Sequence, residues 1–170
     1  LIITITKSVA CGNRIESILE IHPTMKEGSG VESADSKNGD YAVVFEHVAM
    51  RYQSGGAPAV SGIDFKVRHG ETIGIIGGTG SGKSTIINLI PRFYDTSEGR
   101  VLVDGQDVRE YTFEGLRDKI GIVPQKAVLF AGTIRDNMKW GKQDATDEEI
   151  WEAMTLAQAS EFVEQKDGRL

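Results

Sequence analysis

The chain has 170 residues, 39% apolar and 26% charged, enough for one ordinary globular core and too few for two large ones. Its formal charge of -6 leaves no basic field to hold a nucleic-acid backbone, and no Lys/Arg stripe marks a lipid-headgroup surface. The single cysteine, Cys11, excludes an internal disulfide framework and a cysteine-only zinc cage. No run of about 18 apolar residues is present to span a bilayer.

Cys11, Ile15, Ile18 and Leu19 recur on one helical face, and the pattern stops before Pro23, so residues 1–21 read as a lead-in helix. Leu1-Ile2-Ile3-Thr4-Ile5 fits two readings equally: the end of a longer apolar segment or the start of a soluble element. The chain starts at Leu1 and stops at Asp167-Gly168-Arg169-Leu170, in what reads as a loop, the pattern expected of a piece of a longer protein. Residues 22–40 turn to Gly, Ser, Lys, Glu and Asp, with little to bury, and read as a linker. A domain is expected from Tyr41 to the end, residues 41–170.

Tyr41 to Val48 and Ala59 to Val67 read as strands. Thr72-Ile73-Gly74-Ile75-Ile76, nearly all apolar, reads as a strand buried on both faces. Ser84 to Ile90 reads as a largely buried helix stopped by Pro91. Arg100 to Asp104 and Ile120 to Val123 are expected as further strands, with a short helix over Phe113 to Lys119 and a turn at Asp104-Gly105. From Gly132 the pattern is helical, residues 131–170 reading as the start of a helical lobe. Thr146 and Glu149 have the spacing of a capping box, and Ile150, Ala153, Met154 and Ala157 then line one face.

Gly77-Gly78-Thr79-Gly80-Ser81-Gly82-Lys83-Ser84-Thr85 fits G-x-x-x-x-G-K-[ST] between an apolar run and a helix, the context a phosphate-binding loop requires. Glycines let successive backbone N–H groups converge on phosphate oxygens, and side chains there would block the approach. Lys83 is expected to reach the β- and γ-phosphates of ATP as a point charge, and the Ser84 hydroxyl to be a ligand of Mg²⁺. Thr85 is a lesser contact.

From about Tyr41 to Gly141 the chain resembles the nucleotide-binding domain of ABC exporters, in which membrane and ATPase parts share one polypeptide. The resemblance rests on Met50-Arg51-Tyr52-Gln53, Ser61-Gly62-Ile63-Asp64-Phe65 with His69-Gly70-Glu71, the phosphate loop, Pro91-Arg92-Phe93-Tyr94-Asp95, Gly99 to Gly105, and Gly121-Ile122-Val123-Pro124-Gln125 with Leu129 to Ile134. It implies an α/β fold: a P-loop core of ABC ATPase type, incomplete, with an antiparallel β subdomain and the start of a helical subdomain. It implies that Tyr52 stacks on adenine. It also implies that Gln125 is a Mg²⁺ or water contact and a hinge toward the helical lobe, a role an amide suits because it both donates and accepts.

The same resemblance implies the partners and the place. These are a second such domain, in a homodimer or heterodimer, a membrane domain in the same polypeptide, and a small molecule or lipid transported through it, at the cytoplasmic face of the cell membrane. The family's signature loop, its apolar strand ending in Asp, its catalytic Glu and its switch His have no match here, so the chain as given is expected to bind ATP without cutting it. Lys126 stands where many members have an acidic residue. Two functions stay open: ATP hydrolysis powering export, and a degenerate, non-hydrolysing site with a regulatory role. His22, His47 and His69 have no metal-ligand spacing.

Overall fold

Ten residues rich in β-branched and aromatic side chains, Tyr41–Met50, form the strand β1 on which the sheet is built. β2 (Val60–Arg68) alternates half-buried Ile63, Phe65 and Val67 with exposed Asp64, Lys66 and Arg68, the period of a strand with one wet face. β3 (Glu98–Val103) and the two-residue β4 (Gln106–Asp107) complete an antiparallel sheet of order β2-β1-β3-β4. Phe45 pairs with Phe65 on one side and Val101 on the other, and the two phenyl rings stack at 4.4 Å. The expected turn at Asp104-Gly105 joins β3 to β4, with φ of 50° and 83°, the pair of positive values that a two-residue hairpin of this twist requires.

The computed structural model describes residues 2–21, 23–30, 40–52, 56–126 and 128–165, without side chains at 2–5 and 8. Leu1, His22, residues 31–39 of the expected linker, Gln53 and the closing Asp167 to Leu170 lie outside the described residues. The chain divides into two compact units, Leu1–Gly121 and Ile122–Leu170.

In the first unit, α1 is Ile2–Leu19, α2 is Lys83–Leu89 and α3 is Phe113–Arg117. Leu89 of α2 and Leu116 of α3 are fully buried in one cluster with Phe45, Val48, Val101 and Val103 of the sheet. Each such side chain contributes about 1.5–3 kcal/mol by leaving water. Leu89 ties the end of α2 to this core, and Val60 of β2, a member of the same cluster, lies against Gly82 at the helix start. In the second unit, α4 (Ile134–Met138), α5 (Asp147–Leu156) and α6 (Ser160–Glu164) gather around Ile150, Met154 and Val163. Of the face expected on α5, Ile150 and Met154 are buried, while Ala153 and Ala157 are exposed.

Three expectations are corrected. Residues 72–76 and 120–123 form no strand, and Ile76 and Val123 are each 97% exposed. An apolar run states a need for burial, but a parallel strand obtains its hydrogen bonds only from neighbours reached through crossovers. All four described strands pair with one another in the antiparallel sheet. The helix after the glycine loop is buried on one side only: Thr85 and Leu89 are covered, but Ile87 is 45% exposed.

Candidate nucleotide site

The glycine loop is shaped by two left-handed residues, Gly80 at φ 79° and Gly82 at φ 88°. Gly82 is also the N-cap of α2 and has no side chain to cap it. A Cβ there would collide with Val60 Cγ1 and come within 2.8 Å of the Ala59 carbonyl oxygen. One at Gly77 would lie 2.6 Å from Ser81 Oγ. At Gly82 the loop closes on the start of β2 only because that position lacks a side chain, whereas at Gly77 the obstacle is the movable Ser81 hydroxyl. The first turn of α2 also presents backbone N–H groups that have no helical acceptor upstream.

Lys83 is folded over this loop. Its Nζ donates to the carbonyl oxygens of Gly77 (2.8 Å) and Gly78 (2.6 Å), and more weakly to Ser81 Oγ at 3.4 Å. An ammonium held by two carbonyl dipoles is a cation already positioned at the loop, able to exchange a neutral acceptor for a phosphate oxygen at a gain, since hydrogen bonds between charged partners are the stronger ones. Ser84 is exposed, and Gly78 and Thr79 lie on the open side of the loop.

Gly80 to Thr85 line a cavity of about 290 Å³ together with Ala59 and Tyr52. The structure thus brings Tyr52, 33 residues from Thr85 in sequence, to the loop. Its hydroxyl lies 3.0 Å from Thr85 Oγ1, and its ring and that of Tyr94 meet edge to face, 5.1 Å apart at 88°. Thr85 is only 6% exposed, so its hydroxyl is largely shielded from water beside the aromatic. Ala59 and Tyr94 are the residues that sequence reading missed. Ala59 carries no chemistry in its side chain, and Tyr94 matters through a tertiary contact that no spacing encodes. Gln125 belongs to the second unit and is exposed there, in a bend.

Sheet, helices and glycine loop together define an α/β domain of the P-loop class. The family model described as ABC transporter matches residues 60–169, and the chain belongs to that family. It is 40% identical over 163 residues to the ABC transporter ATP-binding protein YfiB of Bacillus subtilis (strain 168), covering 96% of this chain and 28% of that one. It is 39% identical over 160 residues to YgaD of the same organism, a protein named for multidrug export and for ATP-binding and permease parts, covering 94% of this chain and 27% of that one. Among solved structures, an ATP-bound bacterial Atm1-family ABC exporter superposes with a TM-score of 0.83 at 31% identity, over 98% of this chain and 28% of that one. The chain therefore spans little more than a quarter of the length of the relatives it matches. No helix described here is long and apolar enough to cross a membrane.

Proposed function

We propose that this chain binds ATP at residues 77–85, and that in the whole protein ATP binding and hydrolysis power export of a small molecule or lipid across a membrane. The observation that carries the reading is one cavity shared by Tyr52 and the loop Gly80 to Thr85, with the Lys83 ammonium held over the loop glycines. Lys83 positions and neutralises the β- and γ-phosphates, the backbone of Gly77 to Gly82 wraps them, Thr85 is a lesser contact, and Tyr52 stacks on the base. The exposed Ser84 hydroxyl is the group at the loop that would hold Mg²⁺, which when bound neutralises phosphate charge; the Gln125 amide keeps the role the family resemblance implies, a Mg²⁺ or water contact. The residues present fit this load: the Ser84 hydroxyl is exposed, the Lys83 ammonium is held at the loop, and the loop lies against Val60 and the Ala59 carbonyl only while residue 82 is glycine.

Residues 1–21 then lead in from a membrane domain of the same polypeptide, 22–40 link, and 41–170 are part of a nucleotide-binding domain whose helical lobe begins at 131. The domain works at the cytoplasmic face of the cell membrane and pairs with a second copy or a sister domain. We assign to this chain the holding of ATP; the group that orients the attacking water is not among its proposed residues, so turnover by the isolated chain is expected to be negligible. The relatives' names favour export over a regulatory, non-hydrolysing site.

Calorimetric titration of MgATP into the chain and its Lys83→Ala variant, with phosphate release followed in the same samples, tests this. Loss of a charged hydrogen-bonding partner predicts binding weaker by about ten- to a hundredfold in the variant, with no phosphate released by either. Equal affinity in both, or none in a folded chain, overturns the assignment.

A further inference from the structure

The composition of residues 22–40 predicts a segment with nothing to bury, yet Lys26, Glu27 and Gly28 are fastened to the body of the first unit. The Lys26 carbonyl accepts a hydrogen bond from Arg92 Nη2 at 2.8 Å. Glu27 Oε1 accepts from the Phe113 backbone N–H at 3.0 Å, across 86 residues of sequence. The Gly28 N–H donates to the Tyr111 carbonyl at 3.2 Å. Gly28 sits so close to the turn before α3 that a Cβ would collide with the Glu110 carbonyl and lie 2.6 Å from that of Arg109. A linker that merely spans two parts needs none of these.

Arg92 is the other end of the fastening. It is 4% exposed, adopts φ 53°, pairs with Asp95 at 2.7 Å and lies over the Phe113 ring. A buried, bidentately engaged arginine in a left-handed conformation is over-determined by its surroundings. The Arg92–Asp95 pair brackets Phe93 and Tyr94, and Tyr94 is the ring whose contact orients Tyr52. Thr24 and Met25 line a cavity of about 600 Å³ with Tyr52, Phe93 and Tyr94. Tyr52 thus belongs to two cavities, one with the glycine loop and one with this segment.

We propose that residues 24–28 are a positioning strap for the Tyr52–Tyr94 aromatic wall, so that recognition of the nucleotide base depends on anchorage of the strap through Glu27 and Arg92. The inference rests on the reading of residues 77–85 as the phosphate site. The strap contributes no atom to the phosphates; it holds Arg92, which holds the turn bearing Tyr94, which sets the ring of Tyr52. A base-bearing ligand therefore feels the strap, and a bare triphosphate does not.

The test is titration of MgATP and of magnesium triphosphate, which has no base, into the chain and its Glu27→Ala and Glu27→Gln variants, with far-UV circular dichroism as the folding control. Loss of the Glu27 bond in Glu27→Ala is expected to weaken ATP by about three- to tenfold and to leave triphosphate within about twofold. Glu27→Gln keeps an oxygen that accepts from the Phe113 N–H and is expected to restore ATP affinity. Equal ATP affinity in all three proteins overturns the strap's role, as does a parallel loss of both ligands in Glu27→Ala. A parent chain that binds ATP and triphosphate equally well overturns it too, because no base recognition is then present. A folded parent chain that binds neither overturns the phosphate-site reading, and the strap's role with it.

Discussion

Gly82 and Gly78 occupy the same loop and answer to different constraints. Gly82 has φ 88°, and Val60 and the Ala59 carbonyl stand where a Cβ would go. Gly78 has no atom within 4 Å of its would-be Cβ. Alanine at 82 must strain the backbone in the left-handed region and push β2 away, at a cost of about 1–3 kcal/mol. Alanine at 78 is expected to change stability by no more than about 0.5 kcal/mol. Urea unfolding of the two variants checks the contrast, and similar midpoints would show that the loop is not held against β2. The spacing of these glycines is legible in sequence because the loop's geometry is local. Which of them touches β2 is not, since Ala59 and Val60 lie more than twenty residues upstream.

At the scale of elements, the second unit depends on its helix starts. Thr146 and Glu149 form a reciprocal capping box on α5, and Thr133 and Asp136 form another on α4. The first was legible as T-x-x-E; the second was missed because its N3 residue is Asp, which the usual Glu/Gln pattern does not include. Hydrogen bonds from the Thr133 backbone and hydroxyl hold Asp136 below the usual carboxylate range. The Arg135 guanidinium lowers Asp147, and the Lys142 ammonium, then the Thr146 N–H, lower Glu149. For each, the folded value lies below the unfolded one, so the stabilisation is fully present above the unfolded value and is lost as pH falls through the folded one. Helicity is therefore expected to be flat from neutral pH down to about 5 and to fall below about 4. Circular dichroism against pH checks this, and constant helicity down to about pH 3 would contradict it. Thr146→Ala removes the cap at neutral pH and is expected to cost about 0.5–2 kcal/mol, read as a lower thermal midpoint.

At the scale of the molecule, what sequence conveys well is chemistry carried by neighbours along the chain, and what it conveys badly is who packs against whom. The glycine loop, the Asp104-Gly105 hairpin and β2's alternation are of the first kind. The strap at Glu27, the Tyr52–Tyr94 pair and the state of residues 72–76 are of the second, because each is decided by residues far off in sequence. The run Thr72 to Ile76 has the composition of a buried strand and the surroundings of a surface, with Ile73 and Ile75 about 40% exposed beside Ile76. Backbone groups without a ladder partner next to exposed isoleucines form a template for pairing with another chain. The isolated chain is therefore expected to self-associate as its concentration rises. Ile76→Lys, which puts a charge at the most exposed apolar position of the run, is expected to shift it toward monomer without loss of thermal stability, since Ile76 contacts water rather than the core. Sedimentation velocity over a tenfold range of concentration decides the point: a parent chain that stays monomeric throughout, or a variant that associates as strongly as the parent, would mean that this run is not the surface through which copies meet.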